Sequence, residues 1–70
     1  MSTEHPIRLN GETYHVAAGA TVADLIRQLD LPPDRVAVEL DRLIVRRSEW
    51  ATRRLEPHST VEIVQIVGGG

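Results

Sequence analysis

Only one stretch of this chain repeats with the period of a helix, and that limits its possible folds more than any other feature. Val22, Leu25, Ile26 and Leu29 fall at i, i+3, i+4 and i+7 and form one apolar stripe, while Asp24, Arg27 and Gln28 fall away from it. Thr21, three residues ahead of Asp24, supplies the start: its hydroxyl can accept from a backbone N–H, and the Asp24 carboxylate suits the positive end of the helix dipole. Pro32-Pro33 forbids continuation, so the helix is predicted to run to about Asp30.

The remaining patterned segments alternate with period two. Ile7 and Leu9 alternate with Arg8, Asn10-Gly11 is a strong two-residue hairpin signal, and Tyr14 and Val16 alternate with Thr13 and His15. Residues 17–20 are a connection. Val36, Val38 and Leu40 predict a third strand, and Asp41-Arg42 links it tightly to the apolar run Leu43-Ile44-Val45. Arg46 to Leu55 shows no period and is expected to be irregular, with a helical turn after Ser48. Glu56-Pro57-His58-Ser59 is expected to form a type I turn with proline at its second position, and Val61 to Val67 is a last strand dense in β-branched residues.

One helix cannot cover both faces of a sheet of about five strands, so the expected fold is a two-layer α+β domain with the helix on one face. A chain of 70 residues is expected to be a single domain, residues 1–70, with Met1 to Pro6 as a loose leader. Leu25, Ile26, Leu29, Val61 and Ile63 are the predicted core. In the last strand Val61, Ile63 and Val67 share one face, while Val64 and Ile66 share the other, which has no second layer over it. Val64 and Ile66 should therefore form an exposed apolar strip that docks a partner.

Composition narrows the chemistry. All eight basic residues are arginine against ten acids, a net charge of −2, which leaves no cationic footprint for nucleic acid. Without cysteine there is no disulfide, thiolate metal site or thiol nucleophile, and without lysine there is no Schiff base and no side chain to accept an isopeptide bond. Apolar runs are too short for a membrane span, and Met1 to Asn10 lacks a signal-peptide block, so the expected location is the cytoplasm. Ser2, Ser48 and Ser59 lie in no nucleophile-elbow context, and His5, His15 and His58 lack the spacing of a metal pair. Glu39 and Asp41 share a strand face and are read as solvating or partner-facing charge. No metal site and no self-sufficient active site is predicted. What remains is Gly68-Gly69-Gly70, an arm without side chains that reaches at most about 10 Å and can carry a carboxylate into a narrow slot. Glycine tails are also linker scars or frayed ends, but behind an apolar strip this one can act as an acyl donor at Gly70, with Gly68 and Gly69 read as meeting the partner.

Four blocks carry a family resemblance: Arg8-Leu9-Asn10-Gly11-Glu12, Val36-Ala37-Val38-Glu39-Leu40, Ile44 to Trp50, and Val61-Glu62-Ile63-Val64 ahead of Val67-Gly68-Gly69-Gly70. In this order and spacing the chain resembles the ThiS family, the sulfur carriers of thiamine biosynthesis, over nearly all of residues 7–70. The resemblance implies the ubiquitin-like β-grasp fold with the last strand central. It also implies that the protein is a co-substrate, not an enzyme: the Gly70 carboxylate is adenylated by an E1-like, ThiF-type partner, which supplies ATP and Mg at its own site. A cysteine desulfurase persulfide is the indirect sulfur source, the resulting thiocarboxylate serves a ThiG-type thiazole synthase, no cofactor is bound, and the free protein is a monomer. Two departures fall in turns, Asp41-Arg42 where the family usually has Asn and a small or polar residue, and Pro57-His58-Ser59 in place of a common Gly-Asp turn. The alternatives are the small subunit of molybdopterin synthase, with the same tail chemistry and another acceptor, and a ubiquitin-like modifier or interaction module.

Overall fold

The computed structural model describes residues 3–66. Strands β1 (Glu4–Leu9) and β2 (Glu12–Ala17) form an antiparallel hairpin, helix α1 (Val22–Gln28) follows, and β3 (Val36–Leu40) and β4 (Leu43–Val45) form a second hairpin. After a 3₁₀ turn at Arg47–Glu49 and an irregular stretch, β5 (Thr60–Gln65) enters between the hairpins, parallel to β1 and antiparallel to β3. The sheet order is β2-β1-β5-β3-β4, so the expected two-layer α+β fold with a central last strand is the observed one.

Both hairpins close through two residues at positive φ, the geometry whose twist matches that of the flanking strands. Asn10 and Gly11 have φ of 49° and 86°, and Asp41 and Arg42 have 50° and 73°. Asparagine, aspartate and glycine tolerate this region; arginine gains nothing there. Each turn is also tied to the central strand. The Asn10 backbone N–H donates to the Val61 carbonyl at 2.8 Å, and beyond it the side chain takes over as a surrogate strand residue. Asn10 Oδ1 accepts from the Ile63 N–H at 2.8 Å and Nδ2 donates to the Ile63 carbonyl at 3.3 Å, which extends the β1–β5 ladder past the end of β1. Likewise Asp41 Oδ1 accepts from the Thr60 N–H at 2.9 Å, while its own N–H donates to the Thr60 carbonyl at 2.7 Å.

The helix start follows the expected capping. Asp24 N–H donates to Thr21 Oγ1 at 3.2 Å and Thr21 N–H to Asp24 Oδ2 at 3.0 Å. The next two open donors, on Val22 and Ala23, reach the Arg53 and Trp50 carbonyls at 2.9 and 3.0 Å, so the irregular segment completes the cap and is held against the helix. The helix ends two residues before Asp30. Asp30 adopts φ 57°, its N–H turns back to Arg27 and the Leu31 N–H to the Ile26 carbonyl, a Schellman closure that precedes the prolines.

The core holds Ile7 and Val16 from the first hairpin, Val22, Leu25 and Ile26 from α1, Val36, Val38, Leu40 and Val45 from the second, and Trp50, Leu55 and Val61. Trp50 Nε1 donates to the Val45 carbonyl at 3.0 Å, which satisfies its only polar atom inside the core. Leu25, Ile26 and Val61 are buried as predicted, whereas Leu29 and Ile63 are only half-buried. The reason is length: a seven-residue helix covers about 10 Å, while a six-residue strand runs about 20 Å. The end of the sheet past the helix is left to Leu29, Leu31, Leu9 and Ile63, which line a shallow hollow.

Three further expectations are corrected. The leader is shorter than predicted, because Glu4 to Pro6 belong to β1 and pair with Ala17, Val16 and His15. His5 Nε2 lies 2.8 Å from the Leu55 carbonyl, a bond that ties this segment to the irregular stretch. Pro6 fits because its residue points toward β5 ahead of that strand's first ladder pair, where its carbonyl accepts from the His58 N–H and no donor is needed. The helical turn near Ser48 starts earlier, at Arg47, and has no side-chain cap. The Glu56-Pro57-His58-Ser59 turn closes through Ser59 N–H to the Glu56 carbonyl at 3.1 Å, but His58 at φ 68° makes it type II. Its central peptide is turned so that the His58 N–H meets Pro6 at 2.7 Å.

Candidate partner-docking face

The helix leaves one sheet face open, and β5 runs along its middle. Residues of β5 alternate strictly: Val61 and Ile63 point into the core side, Glu62 and Val64 to the open side. The register sets the neighbours. Glu39 on β3 is opposite Glu62, Ala37 is opposite Val64, and Ile44 on β4 is opposite Glu39. Val64 is 61% exposed and Ile66 58%, as expected of a strip with no layer above it.

One large apolar residue joins them that the periodicity of the sequence does not assign to a face, Ile44 at 73% exposure, while Leu43, also exposed, lies on the helix side at the sheet edge. The signal lies in the turn. A two-residue loop at Asp41-Arg42 forces Leu43 opposite Leu40 and Ile44 opposite Glu39, and Glu39 faces the open side. β4 is also an edge strand of only three residues, and a short edge next to charged Arg42 and Arg46 resists pairing with another sheet.

The strand is held to the sheet up to its last described residue. Gln65 pairs with Val36, and the Ile66 N–H donates to the Arg35 carbonyl at 2.7 Å. Val67 and the predicted site residues Gly68, Gly69 and Gly70 lie outside the described residues. The described part of the chain therefore ends anchored at Ile66, and Gly70 is four positions further along the sequence.

Among the described residues no group of three or more His, Cys, Asp or Glu is arranged to hold a metal ion. His5 is engaged with Leu55, and Ser59 is buried in the turn before β5, where its carbonyl accepts from the Arg8 N–H. No helix of the described residues is long and apolar enough to cross a membrane. The Thr21 backbone N–H holds the Asp24 carboxyl below its ordinary value, with the Thr21 side chain and the Arg27 guanidinium acting in the same direction. Its role is the helix cap, remote from the open face.

Comparison with known proteins falls on the same features. The sequence profile of the ThiS family matches residues 7–70. The sulfur carrier protein ThiS of Escherichia coli is 31% identical over 64 residues, a match that covers 91% of this chain and 97% of that one. A thiazole synthase of Magnetococcus marinus is 36% identical over 64 residues, and this chain spans only 20% of that relative's length. The crystal structure of the thiamine biosynthesis protein ThiS from Geobacter metallireducens superimposes with a TM-score of 0.81 at 25% identity, covering 93% of this chain and 99% of that one.

Proposed function

Because the chain belongs to the ThiS family, we propose that it carries sulfur as a thiocarboxylate at Gly70 for thiazole formation in thiamine biosynthesis. The strongest support is that the family match continues through Gly68-Gly69-Gly70, the one segment of the chain whose chemistry suits covalent transfer. A carboxylate does not react with a sulfur nucleophile because its oxygen leaves poorly. Adenylation converts that oxygen into a leaving group: the carboxylate attacks the α-phosphate of ATP, pyrophosphate departs, and an acyl-adenylate remains. The terminal persulfide sulfur then displaces AMP and forms a C–S bond, and a thiol cleaves the persulfide's own S–S bond, forming a disulfide with the sulfur left behind and releasing the thiocarboxylate.

This chain contributes presentation, and the ThiF-type partner contributes Mg-ATP and the catalytic groups. Glycines at 68–70 let the backbone approach a nucleotide where a Cβ would collide, while the strip of Val64 and Ile66 fixes direction at the base of the arm. A ThiG-type thiazole synthase is the proposed acceptor, and the similarity of this chain to a segment of proteins named thiazole synthase favours it over a molybdopterin acceptor. The proposed place of these steps is the cytoplasm.

The test combines the chain with a ThiF-type enzyme and Mg-ATP. The full chain should drive ATP–pyrophosphate exchange, and a persulfide donor should replace one oxygen by sulfur at Gly70 alone, read by intact-mass and fragment spectra. Deletion of Gly70 should abolish exchange and leave the circular dichroism unchanged. Sulfur found at any other position, or exchange that survives the deletion, would remove the carrier reading.

A further inference from the structure

The open face is ordered along β5. At the end farthest from Ile66, Arg8 on β1 is beside Thr60, and Arg42 lines the same shallow depression as Thr60. One rung on, Glu62 stands directly opposite Glu39, with Ile44 on the far side of Glu39. The next rung is Val64 with Ala37, and Ile66 follows. Glu39, Glu62 and Val64 share that depression, about 560 Å³ in volume, with Arg42 and Thr60.

Like charges directly across a strand pair repel, and neither carboxylate has an ion pair or hydrogen bond among the described residues, Arg42 included. In water the repulsion is tolerable. It ceases to be so once the strip is covered: any surface that packs on Ile44 and Val64 also strips water from Glu39 and Glu62, which stand between them. A desolvated carboxylate pair without a cation is strongly unfavourable, so the occupant must bring one. Arginine matches best, because its planar fork can donate to two carboxylates at once. Phosphate-bearing nucleic acid and anionic lipid are repelled by the same pair.

We propose that this face takes a protein surface whose apolar side chains cover Ile44, Val64 and Ile66 and whose arginine is held between Glu39 and Glu62. The identity of that protein as the adenylating enzyme rests on the function proposed above; the chemistry of the surface does not. Gly70 is eight positions after Glu62, so the partner's arginine lies within about 26–29 Å of the site that receives the carboxylate.

Two measurements test this. The first compares wild type with Glu39→Gln, Glu62→Gln and the double variant, in thermal unfolding and in ATP–pyrophosphate exchange with the ThiF-type enzyme. Neutralising either acid should raise the Tm of the free domain by about 2–4 °C. The same changes should raise KM for the chain about tenfold, leave kcat unchanged and flatten its salt dependence. Stability and affinity thus move in opposite directions, which a merely structural pair would not produce. Unchanged KM with active wild type, or loss of stability on neutralisation, overturns the proposal.

The second measurement needs no enzyme. The capped peptide Val-Arg-Val, titrated into the isotope-labelled full chain, should shift the amide signals of Ala37, Glu39, Ile44, Glu62 and Val64, and Val-Gln-Val should not. Shifts with both peptides, with neither, or elsewhere overturn the proposal. If the arginine peptide maps to the face but wild type supports no exchange, the docking chemistry stands and the carrier function falls.

Discussion

Replacing Asn10 separates two contributions that coincide at one residue. Its backbone sits at φ 49°, and its side chain makes two hydrogen bonds to the main chain of Ile63. Asn10→Gly keeps the backbone conformation and loses the bonds; Asn10→Ala loses the bonds and also forces a Cβ residue into the left-handed region. The bond from the Ile63 N–H is short and the other is long and exposed, so together they are worth about 1–2 kcal/mol net. The left-handed backbone adds about 1 kcal/mol for alanine over asparagine. Asn10→Gly should therefore cost about 1–2 kcal/mol and Asn10→Ala about 2–3 kcal/mol, or about 10–20 °C in Tm for the latter. Against a total stability of about 4–10 kcal/mol for a domain of this size, the second loss is severe. Urea denaturation followed by Trp50 fluorescence reads both, since Trp50 is buried with its indole N–H bonded to Val45 and becomes exposed on unfolding. An Asn10→Gly protein as stable as wild type would refute the surrogate-strand account, and equal losses for the two variants would refute the backbone part.

Arg42→Gly should stabilise the domain by about 0.5–1 kcal/mol, because arginine is held at φ 73° in a turn that suits glycine; a fall in the urea midpoint would contradict this. Leu25→Ala should cost about 2–5 kcal/mol by equilibrium unfolding, as a fully buried core leucine, and a loss near zero would contradict its place under the sheet. Asp24 has its pKa lowered in the folded state, so its extra stability is complete above the unfolded value near 3.8 and is lost as pH falls through the folded value. Asp24→Asn should accordingly lose less stability than wild type between about pH 4 and pH 2, measured by Tm against pH. Equal acid sensitivity would show that the carboxylate adds nothing to the cap.

Features set within a few residues are legible in the sequence. The Asn10-Gly11 turn, the Thr21–Asp24 cap and the stripe of Val22, Leu25 and Ile26 each announce themselves through spacing and side-chain chemistry. Features decided by distant segments are not. Glu4 and His5 carry no strand pattern of their own; they join β1 because β2 and the Leu55 carbonyl meet them. The His58 turn reads as type I from its proline, and its peptide is turned by a bond to Pro6, fifty-two positions earlier in the chain. The apolar character of both faces of β5 suits a central strand, as the family resemblance also implies, but alternation reports which face a side chain takes and not which strand lies beside it. On the open face, the exposure of Val64 and Ile66 is legible from one helix and one alternation, whereas Ile44 and the Glu39–Glu62 rung need the pairing register.

The middle of the sheet is built last. During synthesis each hairpin can close behind its own turn, but β1 and β3 share no backbone ladder until β5 emerges and joins them. Closing that gap requires contacts between the two ends of the chain, the slowest kind to form. A polypeptide cut short before Thr60 is then left as two separate hairpins, each too small to persist alone and open to cellular proteases. Placing the last strand at the centre thus acts as proofreading: a molecule that has folded has already been translated as far as that strand.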